Sequence, residues 1–216
     1  MIRGAVFDVD GTLLDSMFVW EDIGADYLRS LGIEPREDLA KTFQSFTMEQ
    51  AAGYYRSQYG VTLSVEEILA GIDGMIAHYY RDQVQAKPGV ENFLQQLQSR
   101  GIKMCIATAT DRHLVEAALK RCGILGYFSE IFTCTSVGHS KKEPHIYRCA
   151  HEFLGTPKTE TYVFEDAFHA AETAASDGFP VVAVYDPSEK QQTELKALAQ
   201  VFLQDFEDTT AIWNLF

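Results

Sequence analysis

Two aspartates, Asp8 and Asp10, are the residues whose type and spacing most clearly favour chemistry. They follow the apolar run of residues 4–7, which predicts a buried strand, and they precede Gly11, which permits a sharp turn. Side chains at positions i and i+2 of extended backbone point to the same side, so both carboxylates can face one site. In open α/β sheets, ligands bind at the carboxyl ends of the strands. The spacing therefore predicts a ligand site at the end of the first strand.

The same two residues also predict a metal. Neighbouring carboxylates repel each other, and both stay ionised only when a cation or strong hydrogen-bond donors stabilise them. Hard oxygen ligands favour Mg²⁺. The alternative interpretation takes Asp10-Gly11 as a plain turn and Asp8 as the cap of a helix or loop. An EF-hand loop is excluded because it needs glycine at its sixth position, whereas Gly11 is the fourth residue counted from Asp8.

From residue 87 onward, short apolar runs alternate with amphipathic stretches that end at glycines. The apolar runs predict strands near residues 104–107, 130–134, 161–164, 181–185 and 201–203. The amphipathic stretches predict helices after Pro88 and Asp111 and at about 144–154, 167–177 and 187–199. Because the predicted strands are apolar without alternation, we expect helices to cover both faces of a parallel sheet.

Residues 16–86 show no convincing strand. Two capping boxes, Thr47 with Gln50 and Ser64 with Glu67, each precede an amphipathic stretch. The segment predicts helices from residue 15 or 16 to about 32, over 48–59 and over 65–82. We therefore expect an α/β core domain of residues 1–15 plus 87–216, interrupted by an all-helical domain of residues 16–86.

Composition and charge exclude several classes of protein. The chain has 216 residues and a formal net charge of −13, which argues against a broad nucleic-acid or membrane-surface footprint. Its apolar runs are far shorter than the roughly 20 residues of a membrane span. The first residues lack the features of a signal peptide, so a cytoplasmic protein is expected. The four cysteines predict reduced core thiols, and the six histidines show no spacing typical of a metal site.

The segment from Asp8 to Thr12 resembles the first motif of the haloacid dehalogenase superfamily. The helical insertion that follows resembles the cap of its phosphoglycolate phosphatase-like and β-phosphoglucomutase-like members. The later motifs appear in order. Thr108 ends a predicted strand, as in the second motif, and Glu165-Asp166 follows another strand, as in the fourth.

The third motif, a lysine before a helix, matches with departures. In Lys141-Lys142-Glu143-Pro144-His145, the family's second proline is kept, whereas its first proline and its aspartate are replaced. Lys141 aligns best, and Lys142 is the second candidate.

The fourth motif also departs from the family pattern. The family's usual Ser or Thr after the acidic pair is Ala167 here, and a usual glycine is Ala170.

The resemblance implies a Rossmann-like parallel sheet core with a helical cap, and it implies roles for the site residues. Asp8 would be the nucleophile that becomes phosphorylated, and Asp10 the general acid and then the base. The presence of Asp10 separates phosphoryl transfer from dehalogenation within the superfamily. The metal would be Mg²⁺, held by the Asp8 carboxylate, the Asp10 backbone carbonyl and Asp166, with Glu165 nearby or reaching it through water.

Phosphate contacts would come from Thr12, Thr108, Ala109 and Lys141. The resemblance thus implies a Mg²⁺-dependent phosphatase that acts on a small phosphorylated metabolite. The net charge already argues against nucleic-acid and membrane partners, and the sequence leaves the oligomeric state open, with a monomer as a plausible form. A sugar phosphomutase resembling β-phosphoglucomutase is the second hypothesis, and a catalytically silent binding protein is the third.

Overall fold

A parallel β-sheet and the helices beside it account for most of the ordered elements. The structure is a computed structural model that describes residues 2–43 and 46–214. Its strands are β1 Gly4–Phe7, β2 Leu14–Asp15, β3 Gln85–Ala86, β4 Lys103–Thr108, β5 Ile131–Thr133, β6 Thr161–Glu165, β7 Val181–Val184 and β8 Val201–Leu203. The α-helices are α1 Met17–Ser30, α2 Leu39–Phe43, α3 Met48–Tyr59, α4 Val65–Asp82, α5 Val90–Ser99, α6 Arg112–Arg121, α7 Cys134–Val137, α8 His145–Leu154, α9 Phe168–Ser176, α10 Gln192–Leu198 and α11 Thr210–Trp213. Short 3₁₀ helices span Leu125–Tyr127 and Lys158–Glu160.

Six strands form one parallel sheet in the order β5-β4-β1-β6-β7-β8. Strand β1 lies between β4 and β6, and Phe7 is in register with Ile106 on one side and Phe164 on the other. The residues that follow β1, β4 and β6 therefore meet at one edge of the sheet. The prediction of an α/β, Rossmann-like parallel sheet core is confirmed.

Helices cover both faces of this sheet, and every residue of β1, β6 and β7 is therefore buried. On one face, α8 packs on β4 and β1, and α9 packs on β6 and β7. On the other face, Phe93 of α5 contacts Phe7 and Phe164, whose rings stack with centroids 4.3 Å apart. Each buried aromatic side chain contributes on the order of 2 kcal/mol from burial alone.

The chain divides into two compact units, Met1–Asp15 with Val84–Phe216 and Ser16–Gln83. The second unit consists of α1 to α4 and contains both predicted capping boxes. Within it, α4 buries Ile68, Ile72, Ile76 and Tyr80, which lie on one face at spacings of four residues. The Tyr55 hydroxyl donates to the Gly24 carbonyl at 2.9 Å and ties α3 to α1.

Several elements differ from the predicted ones. Helix α2 was not predicted, because its five residues are too few to show a helical period. Strand β3 lies inside the segment predicted to lack strands; it pairs antiparallel with β2, and the core unit resumes at Val84 rather than at residue 87. Cys134 begins α7 instead of ending a strand.

Helix α10 is shorter than predicted, spanning Gln192–Leu198 rather than 187–199. The carboxylates of Asp186 and Glu189 accept backbone hydrogen bonds from Ser188 and Gln191, which favours turns there.

All four cysteines are free thiols. Among the described residues, no helix combines the length and apolar character needed to cross a membrane.

A cluster of charged side chains joins α8 to the end of α9. Arg148 donates to both carboxylate oxygens of Asp177, at 2.9 and 2.5 Å, and Lys158 Nζ donates to the same carboxylate at 2.7 Å. The Arg148 hydrogen bonds, joined by those of Lys158 and only partly opposed by burial, lower the pKa of Asp177 to about 2. This carboxylate therefore stabilises the folded chain while it is ionised.

We expect Asp177→Asn to lower the free energy of unfolding by about 1 kcal/mol at pH 7. The folded pKa of Asp177 lies below the unfolded value of about 3.9, so its contribution is complete above that value and is lost as the pH falls towards 2. Urea unfolding at pH 7 and at pH 3 measures the difference, which should shrink at pH 3. Asp73→Asn, an exposed change on α4, serves as the control, and an equal pH dependence in both variants would contradict the assignment.

Candidate active site

The carboxyl edge of the sheet brings the predicted chemical residues of the core unit together. Asp8 and Asp10 follow β1, Thr108 ends β4, Glu165 ends β6, and Asp166 follows it. The backbone amide of Asp8 donates to the Phe164 carbonyl at 3.0 Å, which extends the β1–β6 pairing by one residue. The position of Asp8 is thus fixed by the sheet itself.

Lys141 forms the central ion pairs of this edge. Its Nζ lies 2.5 Å from Asp8 Oδ1 and 2.6 Å from Glu165 Oε1, and all three residues are buried. Lys142, the second candidate, is exposed. The structure therefore places Lys141, and not its neighbour, beside Asp8.

The Tyr147 hydroxyl was missed by the sequence analysis. It donates to Glu165 Oε1 at 2.8 Å, so that oxygen accepts hydrogen bonds from both Tyr147 and Lys141. Tyr147 lies three residues into the helix that follows the lysine motif, on its buried face. A buried tyrosine hydroxyl usually has a partner, which was the signal that could have identified it.

Burial is the largest single influence on the pKa values of Asp8, Asp166 and Lys141. It raises the pKa of Asp8 to about 6, with a further increase from the charge of Glu165 and an opposing effect from Lys141. It also raises the pKa of Asp166 well above its usual value, with further increases from Asp8 and Glu165. For Lys141, burial lowers the pKa, but the two carboxylates outweigh it and raise the pKa overall.

The acidic groups fit a divalent cation. Carboxylate oxygens of Asp8, Glu165 and Asp166 lie within 4.8 Å of one another. With all three ionised, these carboxylates would exceed the single Lys141 ammonium by two negative charges, an excess that a divalent cation would offset. Glu165 Oε2 is buried and has no hydrogen-bond partner among the described residues. The predicted ligand from Asp10 is its backbone carbonyl, which is not one of these carboxylate oxygens and stays a prediction.

Two threonines hold the aspartates in place. The Thr110 hydroxyl donates to Asp10 Oδ2 at 2.6 Å, and the Thr110 amide donates to Thr108 Oγ1 at 3.1 Å. The Thr12 hydroxyl, fully buried, donates to Asp166 Oδ1 at 2.9 Å. Thr110 was not among the predicted site residues, although its position two residues after Thr108 was a usable signal. The hydroxyl of Thr12 donates to Asp166, and the predicted contact of Thr12 with phosphate stays a prediction.

Ala109 is exposed just beyond the end of β4. Having no polar side-chain atom, it can contact a phosphate only through its backbone.

The start of α9 also departs from the expected pattern. Ala167 occupies the N-cap position and makes no side-chain cap, but the Phe168 amide donates to Glu189 Oε2 at 2.8 Å. Glu189 therefore supplies from another segment the carboxylate that a capping side chain would otherwise provide.

Gly11 permits the close approach of Asp166. Its φ is +76°, and a Cβ at this position would overlap the Asp166 carboxylate. Gly123 has a nearly equal φ of +75°, but a Cβ there would meet nothing within 4 Å. Comparing a substitution at Gly11 with one at Gly123 thus distinguishes the effect of backbone strain from the effect of crowding at the site.

A family model described as haloacid dehalogenase-like hydrolase matches residues 2–176. The chain belongs to this family, as its motifs predicted, and is therefore an enzyme of the hydrolase class.

Individual relatives are more distant. A provisionally named Bacillus subtilis phosphatase, YhcW, is 29% identical over 189 residues, which cover 85% of this chain and 84% of that protein. The phosphorylated carbohydrates phosphatase of Thermotoga maritima is 24% identical over 177 residues, 82% of each chain. Among solved structures, a Thermotoga maritima protein provisionally named a β-phosphoglucomutase superimposes with a TM-score of 0.87 over all of both chains at 22% identity. That likeness shows the fold.

We expect Gly123→Ala to lose about 1 kcal/mol of stability, because alanine resists a left-handed conformation, and Gly11→Ala to lose more, because its Cβ also overlaps the Asp166 carboxylate. Only Gly11→Ala should also displace Asp166. Thermal unfolding with and without Mg²⁺ measures this difference: the melting temperature should rise with Mg²⁺ in the wild type and in Gly123→Ala, but less in Gly11→Ala. Equal Mg²⁺ responses in the two variants would contradict the placement of Asp166 at the metal.

Proposed function

We propose that the chain is a phosphatase that hydrolyses a small phosphomonoester through a covalent phosphoaspartate at Asp8. The observation that carries the proposal is the Asp8 carboxylate at the end of β1, 2.5 Å from Lys141 Nζ and two residues before Asp10. A carboxylate paired with a fixed cation, with a second acid close in sequence, suits a two-step transfer of a phosphoryl group.

In the first step, an Asp8 oxygen forms a bond to phosphorus while the bond between phosphorus and the alcohol oxygen of the substrate breaks. This requires ionised Asp8. Its pKa of about 6 lies below neutral pH, so the carboxylate form predominates there. The charge on Lys141 opposes the negative charge that gathers around the phosphoryl group.

Asp10 acts as general acid and then as general base. It donates a proton to the departing alcohol oxygen and later accepts one from the water that attacks phosphorus, which breaks the bond to Asp8 and releases inorganic phosphate. Asp10 is then protonated again, ready for the next cycle. The hydrogen bond from Thr110 holds the Asp10 carboxylate in one orientation for both transfers.

A divalent cation bound by Asp8, Glu165 and Asp166 would neutralise charge on the phosphoryl oxygens. We propose Mg²⁺, because these donors are all oxygen. Lys141, Thr108 and Ala109 remain the proposed phosphate contacts. Thr12 acts on Asp166, because its buried hydroxyl is bonded there.

The relatives narrow the substrate class. One of them is named as a phosphatase of phosphorylated carbohydrates, and its alignment with this chain covers 82% of each protein. We therefore propose a phosphorylated carbohydrate of small size as the substrate.

A sugar phosphomutase is the alternative, favoured by the structural likeness to a protein provisionally named a β-phosphoglucomutase. A mutase must bind phosphate at both ends of its substrate. The start of α3 does not favour this, because its first turn carries Glu49 and no basic residue. The silent binding protein is less well supported, because Asp8, Lys141 and Asp166 are all in place.

We expect Asp8→Asn and Asp10→Asn each to reduce phosphate release by roughly 10²–10⁴-fold, because they remove the nucleophile and the proton donor. The measurement is release of inorganic phosphate from a panel of sugar phosphates, with and without Mg²⁺. Asp15→Asn, at the exposed end of β2, is the matched control and should retain full activity.

Two outcomes would contradict the proposal. Isomerisation of a sugar phosphate without net phosphate release would favour the mutase. Turnover that persists in Asp8→Asn would exclude the phosphoaspartate.

We expect Thr110→Val to lower kcat by about 10-fold with little change in KM, because Asp10 loses its orienting hydrogen bond but the substrate keeps its contacts. Thr110→Ser keeps the hydroxyl and should retain most of the rate. Steady-state kinetics of both variants distinguish orientation of Asp10 from simple packing. An equal loss of kcat in Thr110→Ser would assign Thr110 to packing alone.

A further inference from the structure

The Tyr147 hydroxyl is a buried polar group to which the reaction steps described above assign no role. Tyr147 lies on the buried face of α8 and is fully shielded from solvent. Its ring contacts that of Phe179, with centroids 6.3 Å apart, and α8 packs on β4 and β1. Because the ring is held in a packed core, its hydroxyl has a defined position beside Glu165.

The hydroxyl has two acceptors within reach, and the distances favour one of them. Glu165 Oε1 lies 2.8 Å from the Tyr147 oxygen, whereas the Ala170 carbonyl lies at 3.4 Å. A hydroxyl has one proton to donate, and an ionised carboxylate only accepts. Hydrogen bonds to charged groups are also shorter and stronger than neutral ones. The proton of Tyr147 therefore goes to Glu165.

The two carboxylate oxygens of Glu165 differ in their partners. Oε1 accepts from the Tyr147 hydroxyl and from Lys141 Nζ, which lies at 2.6 Å. Oε2 is buried and has no hydrogen-bond partner among the described residues. A carboxylate oxygen accepts about two hydrogen bonds, so the capacity of Oε1 is filled. Oε2 is the oxygen that remains available to a ligand.

This difference needs more than the lysine to maintain it. The terminal torsion of a glutamate side chain has a broad energy profile, so the carboxylate itself prefers no single orientation. With Lys141 as the only donor, the Glu165 carboxylate is free to turn until both of its oxygens share the ammonium group. The Tyr147 hydroxyl, carried by a packed helix, opposes that rotation because it binds Oε1 as well.

We propose that Tyr147 is a positioning residue: by holding Glu165 Oε1 beside Lys141, its hydroxyl keeps Oε2 available to a divalent cation. One carboxylate oxygen from each of Asp8, Glu165 and Asp166 belongs to the group whose atoms lie within 4.8 Å of one another. Groups that orient metal-binding side chains typically change metal affinity by about 10- to 100-fold when they are removed. This role rests on the function proposed above, because it concerns the cation of that same site.

The first test compares two tyrosines that lose the same atom. Tyr147→Phe keeps the packed ring and removes the donor to Glu165. Tyr55→Phe is the matched control, because it removes a hydroxyl of a similarly buried residue that donates to the Gly24 carbonyl at 2.9 Å within the helical unit. Mn²⁺, which also favours oxygen ligands, is titrated into the full chain after treatment with a chelator and without substrate. The electron paramagnetic resonance signal of free Mn²⁺ measures the unbound ion.

We expect Tyr147→Phe to bind Mn²⁺ about tenfold more weakly than the wild type, and Tyr55→Phe to bind it as the wild type does. Both variants should melt below the wild type, because each loses a buried hydrogen bond. Equal Mn²⁺ affinities in Tyr147→Phe and the wild type would overturn the positioning role and leave the proposed phosphatase intact. Absence of Mn²⁺ binding by the wild type would overturn the proposed metal site and the positioning role together.

A second measurement asks whether Tyr147 acts through Glu165. The Tyr147→Phe, Glu165→Gln double variant should bind Mn²⁺ no more weakly than Glu165→Gln alone, because the carboxylate that Tyr147 orients is already replaced. Losses of affinity that multiply would show that the two side chains act independently, which would overturn the proposal.

Steady-state kinetics supply a third measurement. In Tyr147→Phe, we expect kcat to fall at limiting Mg²⁺ and to return to within about twofold of the wild type at saturating Mg²⁺, with an unchanged KM for the substrate. Excess Mg²⁺ compensates for weaker binding of the ion but not for a disturbed core. A loss of kcat that excess Mg²⁺ leaves unchanged would therefore contradict the role of Tyr147 at the metal.

Discussion

Charge removed from water at the carboxyl edge of the sheet is the constraint on which the rest of this structure depends. Lys141 Nζ lies between Asp8 and Glu165, and all three are buried. Such a group is stable only when every charge has a partner, since an unpaired buried ion costs several kcal/mol. The hydroxyls of Tyr147 and Thr12 and the turn at Gly11 are therefore parts of one arrangement that offsets most of this cost, while Glu165 Oε2 still lacks a hydrogen-bond partner among the described residues.

The sheet order explains how residues far apart in sequence reach this arrangement. With β1 between β4 and β6, the ends of three neighbouring strands supply Asp8, Thr108 and Glu165. The lysine comes from a segment that follows α7, and the hydroxyl that supports Glu165 comes from α8. Rigid elements thus carry most of the charged groups, which reduces the reorganisation needed when a reacting phosphate adds further negative charge.

The sequence predicted the parts of the fold whose signals are local. Apolar runs identify the buried strands, and Thr47 and Ser64 mark helix starts through capping boxes that the structure contains. Helix α2 and strands β2 and β3 are too short to show a period, so they escaped prediction.

Hydrogen bonds between residues that are far apart in sequence also escaped prediction. The position of Thr110 two residues after Thr108 indicates the edge of the sheet at which it lies, but not that its hydroxyl meets Asp10, one hundred residues earlier. Similarly, Glu189 caps α9 from a different segment. The stacking of His139 on His145 escaped prediction for a related reason, because it arises only once the turn at Ser140 has formed.

The small ribbon formed by β2 and β3 has a topological consequence. Asp15 is paired with Gln85, so the chain leaves the core unit and re-enters it at adjacent positions. The helical insertion is in this sense the enlarged loop of a β-hairpin, and a short turn could join the same two strands. Closing a loop of this length costs little more entropy than closing one half as long, because the cost grows only with the logarithm of length. The hairpin thus makes the intervening module exchangeable: sequences of other lengths and compositions can occupy this position over evolutionary time without altering the register of the sheet that holds the charges.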